Sequence, residues 1–425
     1  MITTILKAKH YPYDRALNEF LATRKMSGPE LKDWQTKQRW DIVKYHYENN
    51  SFYRHKVGNI PESWEDIPII SKNDLTAEKN IISLLSEKFK NKRNLYISNT
   101  SGSSGHPFYF AKDKYTHART WACIAVRYAD LGISLADKQA RFYGIPLNTK
   151  GYITERLKDY FMNRVRFPIM DLSDASFKNM INIFNKKKFI YIYGYAQSLV
   201  CFCNYLSTNN INIREICPSL KLIITTSEML SSNEKKSMET TTTLPIYDEY
   251  GASETGYMGM WNNYGYWDSC DENVYLETDS DGRLLVTDLF NKAMPFIRYS
   301  IGDNVKLEAD DSMRTKILEL LGRTNDIIIL PSGKKAAGLT FYYISKSLLE
   351  NSKININEFI IRQTSLDTFD FDIISTEDIS TSIINEIKTD AIKYLEPGIK
   401  INVNRVDSIR RPSSGKIQHF YSEIK

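Results

Sequence analysis

The stretch FIYIYGYAQSLVCFCNYLSTNN, residues 189–210, pairs an apolar run of strand length with a longer apolar run of helix length. The first run, Phe189–Tyr193, is short and rich in aromatic and β-branched residues, which favours a buried strand. The second run, Ala196–Asn209, is too long for a typical strand and predicts a buried helix. A buried strand that leads directly into a helix is the repeating unit of sheets with parallel strands.

The same unit of strand and helix recurs on both sides of this stretch. The other strands and helices predicted in this region are Leu95–Asn99, Phe108–Ala111, Lys114–Leu131, Arg141–Ile145, Ser173–Lys187, Leu220–Thr225, Ser231–Thr241 and Leu244–Tyr247. The alternation predicts an α/β fold in which helices flank mostly parallel sheets. Ligands of such sheets bind beyond the carboxyl ends of the strands.

The two ends of the chain follow other patterns. The first part, up to about residue 90, predicts a helical scaffold with polar loops. Short runs predict a small β-subdomain with strands Val274–Glu277, Arg283–Asp288, Phe296–Tyr299 and Val305–Leu307. The tail predicts an α+β domain with strands Asp326–Leu330, Glu358–Thr364, Thr368–Ser375 and Lys400–Val406 and helix Ile379–Leu395. We expect a large domain over residues 1–325 and a small one over residues 326–425.

Composition limits the classes of protein. The formal charge of +5 over 425 residues, without a compact basic stripe interleaved with aromatics, predicts no nucleic-acid partner. No run approaches the roughly 20 apolar residues that span a bilayer, and the first residues do not form a secretory signal. We therefore expect a cytoplasmic protein without a membrane span. Five scattered cysteines indicate reduced thiols and no disulfide framework.

The cysteine spacing does not favour zinc. Cys201 and Cys203 are separated by one residue and lie in a predicted buried helix, whereas zinc knuckles space their ligands more widely. Cys270 is the one cysteine, without histidine, in the segment Tyr257–Glu277. We expect no zinc.

The segment TSGSSGHP, Thr100–Pro107, combines glycines with hydroxyl side chains. Glycines let backbone N–H groups converge on phosphate oxygens, and the hydroxyls add donors. The spacing is not that of the Walker loop, which requires a lysine after its last glycine. A flexible Ser/Gly turn stays the alternative for this motif taken alone.

Four further segments carry charged or polar groups suited to a nucleotide. YGASETG, Tyr250–Gly256, follows an apolar run, and a carboxylate at a strand end can hold Mg²⁺. PFIRYSIGD ends at Asp303, a carboxylate that can accept hydrogen bonds from both ribose hydroxyls. LGRTND follows at residues 321–326. Near the C-terminus, Lys416 follows a Ser-Gly turn in SSGK, where its ammonium could neutralise charge in a transition state.

Together and in this order, these motifs resemble those of the adenylate-forming superfamily of acyl-CoA synthetases and adenylation domains. The chain is most similar to the phenylacetate-CoA ligase branch, including its capsule-locus relatives. The motifs span Thr100 to Lys416, which is nearly the whole chain. The resemblance implies an enzyme that uses ATP and Mg²⁺ to convert a carboxylic acid to an acyl-AMP and then transfers the acyl group to an acceptor.

The resemblance also implies roles for individual residues. Glu254 would bind Mg²⁺, Asp303 would bind the ribose, and Tyr250 would lie beside adenine. Lys416 would be catalytic in acyl-AMP formation, and Asp326 would be the hinge of a mobile C-terminal domain. The complete set of implied nucleotide-binding residues is Thr100, Ser101, Gly102, Ser103, Ser104, Gly105, Ser227, Glu228, Tyr250, Gly251, Ala252, Ser253, Asp303 and Arg323.

The acid and the acceptor are less closely defined. The implied substrate pocket comprises Tyr143, Gly144, Tyr193, Gly194 and Tyr257, whose aromatic rings suit an aryl or another small flat acid. The segment PSGKKAAG departs from the pattern of aryl-CoA ligases. We therefore favour an amine or hydroxyl acceptor, for example in capsule or surface-polysaccharide synthesis, over the thiol of CoA.

Two alternatives stay open. One is a CoA ligase of the phenylacetate type. The other, from a different class, is a nucleotide-binding protein without catalysis, which the retention of Glu254, Asp303, Arg323 and Lys416 disfavours. The sequence does not distinguish a monomer from a homodimer.

Overall fold

The computed structural model describes residues 2–78, 80–100, 108–144, 149–167, 169, 171–228, 230, 232–262, 264–280, 282–310, 313–320, 327–337, 356–375, 377–407, 409 and 420–424. The chain forms two compact units. Unit 1 comprises Met1–Thr100, Tyr109–Ala136 and Tyr247–Arg323. Unit 2 comprises Ser101–Phe108, Asp137–Ile246 and Thr324–Lys425. No helix over the described ranges combines the length and apolarity needed to cross a bilayer.

Helices lie in both units. They are α1 Ile2–Ala8, α2 Tyr13–Arg24, α3 Gly28–Asn49, α4 Ser51–Val57, α5 Lys72–Ala77, α6 Ile81–Leu84, α7 Lys114–Asp130, α8 Thr149–Phe161, α9 Asp174–Lys186, α10 Ala196–Thr208, α11 Ile213–Ile216, α12 Ser232–Thr242 and α13 Thr381–Tyr394. Short polar residues begin several of them. Asp113, for example, accepts hydrogen bonds from the backbone N–H groups of Tyr115 and Thr116 at the start of α7, which satisfies donors that have no partner inside the helix.

Strands are also found in both units. They are β1 Ile70–Ser71, β2 Leu95–Thr100, β3 Phe108–Asp113, β4 Gln139–Phe142, β5 Arg164–Phe167, β6 Tyr191–Tyr195, β7 Leu222–Thr226, β8 Ile246–Ala252, β9 Gly256–Trp261, β10 Trp267–Ser269, β11 Val274–Thr278, β12 Arg283–Asp288, β13 Tyr299–Ala309, β14 Thr315–Leu320, β15 Ile327–Ile329, β16 Lys335–Ala337, β17 Ile356–Ser365, β18 Thr368–Ser375, β19 Lys400–Arg405 and β20 Phe420–Ser422.

Unit 1 contains a largely antiparallel sheet and a helical layer. Its strands lie in the order β11-β12-β13-β14-β10-β9-β8, and β1 pairs in parallel with β13. Strands β2 and β3 form a separate pair. A satellite core of Leu6, Tyr13, Ala16, Ala118 and Ala122 joins α1 and α2 to α7. The polar loops of the first residues therefore connect helices that bury apolar side chains within this unit.

Unit 2 contains the parallel strands in the order β5-β4-β6-β7. The chain visits β4 before β5 and then crosses to the other side of β4 to form β6, so the strand order reverses between β4 and β6. In open α/β sheets, a reversal of this kind opens a crevice at the carboxyl ends of the two strands. The β19-β18-β17-β20 sheet and the β15-β16 hairpin lie in the same unit.

The α/β fold predicted from the alternation of strands and helices is confirmed. The helices α7, α9, α10 and α13 lie within two residues of their predicted bounds. Several predicted strands are displaced along the chain, among them Arg141–Ile145, where β4 is Gln139–Phe142, and Phe189–Tyr193, where β6 is Tyr191–Tyr195. The strand predicted at Leu244–Tyr247 runs to Ala252 as β8, and β13 begins at Tyr299, where the strand predicted from Phe296 was to end. The prediction also missed α8 and β5.

The close approach of β4 to β6 requires a glycine. Phe142 and Gly194 are direct partners in the parallel register. A Cβ atom at Gly194 would lie 2.5 Å from Cβ of Phe142 and 2.7 Å from its carbonyl oxygen. Contacts this short force the strands apart, so this glycine sets the spacing of the two strands that border the crevice.

We expect Gly194→Ala to lower the free energy of unfolding by about 2 kcal/mol or more, because the added methyl group must displace backbone as well as side chain. Gly259→Ala is the graded control, since its Cβ would meet its nearest neighbours at 3.3 Å. This substitution should lower the free energy of unfolding by less than Gly194→Ala does. Thermal unfolding of the purified variants followed by circular dichroism measures both. Equal stability of Gly194→Ala and the parent protein would contradict this account of the strand spacing.

Candidate active site

A tight hairpin between β8 and β9 positions Glu254. Tyr250, Gly251 and Ala252 lie within β8, so the YGASE motif starts inside the strand and only Ser253 and Glu254 fall in the turn. A Cβ atom at Gly251 would lie 2.5 Å from the carbonyl oxygen of Gly256, which itself has a φ of +89°. The two glycines therefore allow the backbones to approach closely at the turn.

The carboxylate of Glu254 is buried although it lies in a turn. The side chain is 5% exposed, and Tyr299 in β13 donates a hydrogen bond from its hydroxyl to Oε1 of Glu254 at 3.2 Å. Over the part of the chain that the structure describes, we find no donor to Oε2. One oxygen is thus fixed by protein and the other can accept a further ligand. Magnesium takes few protein ligands and keeps several waters, so this single oriented carboxylate fits a magnesium ligand.

Asp303 is oriented by Tyr250, the first residue of the YGASE motif. The hydroxyl of Tyr250 in β8 donates to Oδ2 of Asp303 in β13 at 2.8 Å. Asp303 is buried. Two hydroxyl–carboxylate pairs therefore connect these strands. Tyr250 of β8 binds Asp303 of β13, and Tyr299 of β13 binds Glu254, which follows β8.

A buried lysine lies close to Glu254. Lys112, at the end of β3, is 2% exposed. Its Nζ lies 3.1 Å from the position that a Cβ at Gly256 would occupy. Burial lowers the pKa of Lys112, and the charges of Asp288 and Glu254 partly oppose that shift. Lysine ammonium groups are almost never fully buried without anionic partners, so these two carboxylates stabilise the charged form.

Asp288 is the third buried charge in this cluster, together with Lys112 and Glu254. The Oδ1 atom of Asp288 accepts hydrogen bonds from the backbone N–H groups of Phe290 and Asn291 at 3.0 and 3.1 Å. Burial raises the pKa of Asp288 to about 6, and the ammonium of Lys112 opposes the rise. Asp288 is therefore fixed to the backbone, and Lys112 provides an electrostatic link from it to Glu254.

Sequence reasoning missed Lys112, although β3 contains a signal for it. Phe108 and Phe110 point to the core side of the strand and are fully buried. Residues of a strand that are two apart share a face, so Lys112 falls on the same face as the two phenylalanines. A charged residue at an inward position marks a buried partner or a site.

Tyr257, one of the predicted substrate-pocket residues, borders a small cavity in unit 1. The lining residues are Thr116, Arg119, Thr120, Thr255, Tyr257, Asn273, Asp288 and Phe290. The cavity measures about 10 Å³, which is room for about one water molecule. The hydroxyl of Tyr257 is buried and has no hydrogen-bond partner among the described residues, and burial raises its pKa. In this structure, Tyr257 borders a space too small for an organic acid.

The other predicted pocket residues lie together towards the carboxyl ends of β4 and β6 in unit 2. Tyr143 and Gly144 follow β4, and Tyr193 and Gly194 lie in β6. The rings of Tyr143 and Tyr193 stack with their centroids 5.9 Å apart. The guanidinium of Arg141 lies 3.9 Å from the ring centroid of Tyr143 and 4.7 Å from that of Tyr193. A cation over aromatic rings at a strand-order reversal is suited to a flat anionic ligand.

Ser227 and Glu228 follow β7 in unit 2. Ser227 has a φ of +69°, a left-handed conformation that is uncommon for residues other than glycine. Its side chain is exposed, whereas that of Glu228 is buried. A constrained backbone directly after a parallel strand is a frequent feature of ligand-binding turns.

Several predicted site residues cannot be placed. Thr100 ends β2, but its side chain is not described. Ser101, Gly102, Ser103, Ser104, Gly105, Arg323, Asp326 and Lys416 lie outside the described residues. Where side chains are described, no group of three or more His, Cys, Asp or Glu residues could hold a metal ion. Cys270 lies against Cys123, with the two sulfur atoms 2.9 Å apart.

Comparisons with known proteins agree with this architecture. No family model matches the chain. Protein CapK of Staphylococcus aureus is 22% identical over 93% of this chain and 90% of its own length. A crystal structure of 2-hydroxyisobutyryl-CoA ligase in complex with 2-HIB-AMP and CoA, in the thioesterification state, is 18% identical. It superposes with a TM-score of 0.57 over 92% of this chain and 89% of the ligase chain.

An open conformation of the same ligase gives a TM-score of 0.55 at 16% identity, over 93% of this chain and 92% of the ligase chain. The chain therefore has the fold of the adenylate-forming ligases. The resemblance found in the sequence motifs is confirmed at the level of the fold.

We expect Lys112→Met to lower the free energy of unfolding by about 3 kcal/mol at pH 8, because two buried carboxylates lose their cation. Asp288 already has a pKa of about 6, above the ordinary value of 3.8, and loss of Lys112 should raise it further. A carboxyl with a raised pKa destabilises the fold most at high pH, so the loss should be largest near pH 8 and should shrink as the pH falls towards about 6, below which Asp288 is protonated in the parent protein and the variant alike.

Thermal unfolding of Lys112→Met between pH 5 and pH 8 checks this expectation. Lys114→Met is the matched control, because Lys114 lies two residues away and donates to the carbonyl oxygen of Lys9 near the surface. A loss in Lys112→Met that does not vary with pH would mean that the packing of the side chain, and not its charge, stabilises unit 1.

Proposed function

We propose that this chain is an ATP- and Mg²⁺-dependent, AMP-forming carboxylate ligase. In the first half-reaction a carboxylate oxygen of the acid attacks the α-phosphorus of ATP, the α–β phosphoanhydride bond breaks, and pyrophosphate leaves. In the second, a nucleophile attacks the acyl carbon and AMP leaves. The arrangement in unit 1, where the hydroxyls of Tyr299 and Tyr250 orient the carboxylates of Glu254 and Asp303, is the observation that carries the proposal.

Each carboxylate has a distinct part. Glu254 would hold Mg²⁺ through its second oxygen, and the metal when bound would neutralise charge on the phosphates. Asp303 would accept hydrogen bonds from the ribose hydroxyls, with Tyr250 fixing its orientation beside the adenine. The hydroxyl of Ser253, next to Glu254 in the turn, would contact the α-phosphate. Because the two carboxylates are already fixed by tyrosine hydroxyls, little ordering is needed on binding.

The remaining nucleotide contacts would come from other segments of the chain. The N–H groups and hydroxyls of Thr100–Gly105 would bind phosphate oxygens, and Arg323 would contact the ribose or the α-phosphate. Backbone at Ser227 and Glu228 would lie along adenine. Lys416 would bridge the acid and the α-phosphate during acyl-AMP formation.

Residues 1–325 would thus bind ATP and the acid. Residues 326–425 would form a small domain that carries Lys416 and rotates about Asp326 between the half-reactions. We place the protein in the cytoplasm, where ATP is available.

The acid would bind at the crevice of unit 2. Tyr143 and Tyr193 provide stacked rings, and Arg141 places a positive charge against both. A small carboxylic acid with a flat or aryl body fits this combination, because the rings bind its faces and the cation attracts its charge.

The acceptor is an amine or hydroxyl in this proposal, for example in capsule or surface-polysaccharide synthesis. The β15-β16 hairpin, which carries the PSGKKAAG segment, supports it. Lys334 donates from Nζ to the carbonyl oxygen of Leu395 at 2.7 Å, and the N–H of Ser332 donates to Glu396 at 3.2 Å. These hydrogen bonds attach the hairpin turn to the end of α13. An attached turn of this kind differs from the glycine-rich stretch that admits pantetheine in CoA ligases.

A CoA ligase is the second candidate. It is favoured by the likeness in fold to a ligase crystallised with CoA. Mass spectrometry of the product formed with and without CoA distinguishes the two candidates.

We expect the protein to exchange labelled pyrophosphate into ATP only with a suitable acid and Mg²⁺. Glu254→Gln should reduce the exchange rate by roughly two orders of magnitude, because the metal loses its anionic ligand. Asp303→Asn should raise the KM for ATP about tenfold or more, through weakened charge-assisted hydrogen bonds.

Glu308→Gln is the control for this assay, since Glu308 is exposed and lies in β13 with Asp303. Its exchange should equal that of the parent protein. Release of ADP and phosphate, in place of AMP and pyrophosphate, would refute the proposed reaction.

We expect Lys416→Ala to abolish acyl-AMP formation while transfer from supplied acyl-AMP stays near the parent rate. The ammonium is needed where charge builds on the α-phosphate, and the small domain has rotated before transfer. Lys416→Arg should not restore activity, because a guanidinium is a poor substitute for a compact point charge.

Single-turnover kinetics, started either from ATP and acid or from synthetic acyl-AMP, separate the two steps. Lys393→Ala, an exposed lysine of α13, is the control. Equal losses in both steps would show that Lys416 only stabilises its domain.

A further inference from the structure

Helix α8 of unit 2 exposes large apolar side chains along one face. The exposed fractions are 40% for Tyr152, 53% for Ile153, 54% for Leu157, 79% for Tyr160 and 50% for Phe161. Successive residues of a helix are turned by about 100°, so these five span about half of its circumference. We call this surface the apolar face of α8. A surface helix normally turns such a face to the core, and contiguous exposed patches of this kind mark interaction sites.

The opposite face of α8 is polar and attaches the helix to the protein. Asp159 accepts from Nε of Arg166 at 3.0 Å and from Nε of Arg164 at 2.5 Å. Glu155 accepts from Nη2 of Arg166 at 2.6 Å. Asp159 is buried, and both arginine side chains are less than 10% exposed. The helix is therefore held by ion pairs on its inner side, and its orientation, with the apolar face outward, is fixed.

The exposed charge beside the apolar face is positive. Segment 149–166 contains five basic and two acidic residues, and both acids pair with the arginines of β5 on the inner side. Arg156 lies within the apolar face, where it donates from Nε to the hydroxyl of Tyr152 at 3.1 Å. Lys158 flanks the face and is exposed, and its Nζ pairs with Oε1 of Glu155 at 2.7 Å. The outer surface of α8 thus combines aromatic and aliphatic side chains with cations.

We propose that the apolar face of α8 docks on an anionic lipid surface, with the helix lying in the plane of the interface. Interfacial helices combine bulky apolar residues with Lys and Arg, and they bind by apolar burial together with attraction to anionic lipids. Tyrosine and other amphipathic rings favour the headgroup level. The length of α8, about 20 Å for its 13 residues, suits lying along a membrane and not crossing it.

The position of Arg156 favours lipid over a second copy of this chain. A symmetric pair of α8 helices packed by their apolar faces would bring the two Arg156 side chains near each other at the centre of the interface. Like charges in a desolvated interface are costly. Anionic headgroups instead neutralise Arg156 and attract the net positive charge of segment 149–166. The lipid surface is therefore the occupant that satisfies both the apolar and the charged groups of this face.

Flotation of the full-length protein with vesicles tests the proposal. Vesicles of phosphatidylcholine with about a third phosphatidylserine should bind it, and pure phosphatidylcholine vesicles should bind it at least about tenfold more weakly. The double variant Leu157→Ser, Phe161→Ser should reduce binding to the anionic vesicles about tenfold or more. Arg156→Glu should also reduce it, and raised salt should weaken binding of the parent protein.

Ile392→Ser is the matched control, because Ile392 is an apolar residue that is 40% exposed on helix α13 of the same unit. This variant should bind vesicles as the parent protein does. Thermal unfolding should be unchanged in all variants, since the substituted side chains are exposed. No binding of the parent protein to anionic vesicles overturns the proposal, as does binding that the α8 variants leave unchanged. A dimer in sedimentation velocity that the double variant dissociates, without vesicle binding by the parent, would instead assign the face to self-association.

Discussion

The charge of Lys112 inside unit 1 is the constraint on which the candidate site depends. A buried ammonium needs anionic partners, and the two carboxylates that stabilise it come from different parts of the sequence. Asp288 is fixed by backbone N–H groups after β12, whereas Glu254 lies in the β8-β9 turn. Lys112 therefore links a rigid anion to the anion that we propose binds magnesium. The carboxylate of Glu254 thus has a cation near it in addition to the hydroxyl of Tyr299.

Two glycines and two tyrosines make that arrangement sterically feasible. Gly251 lets the hairpin close, and Gly256 leaves room for Nζ of Lys112. Tyr299 and Tyr250 then hold Glu254 and Asp303 by hydrogen bonds from their hydroxyls. Each feature is small, but all concern the same two carboxylates. In unit 2 a glycine acts through packing, since Gly194 lets β6 approach Phe142 of β4 closely, next to the stacked rings of Tyr143 and Tyr193.

Unit 2 also shows how polar groups can determine which way a helix faces. The apolar residues of α8 would ordinarily turn to the core, but Glu155 and Asp159 are drawn inward by Arg164 and Arg166. Four ionisable groups share this inner side, and exposing them would forfeit strong charge-assisted hydrogen bonds. Consequently the apolar residues face outward. The apolar residues of α8 recur at helical spacing, so the sequence does contain the pattern of an amphipathic helix; it does not record that this side faces outward.

The sequence by itself determined the α/β fold and the identity of the residues expected at a nucleotide site. Alternating apolar runs, as in Phe189–Asn210, specify strand and helix locally, and the motifs around Glu254 and Asp303 are recognisable by their order. Only the tertiary structure decided which groups orient those carboxylates, that Tyr257 borders a space for about one water, and that α8 faces outward. The reason is physical: hydrogen bonds and buried charges depend on distances between residues far apart in the chain. Lys112 and Glu254 are separated by more than a hundred residues, and no local pattern records that they meet.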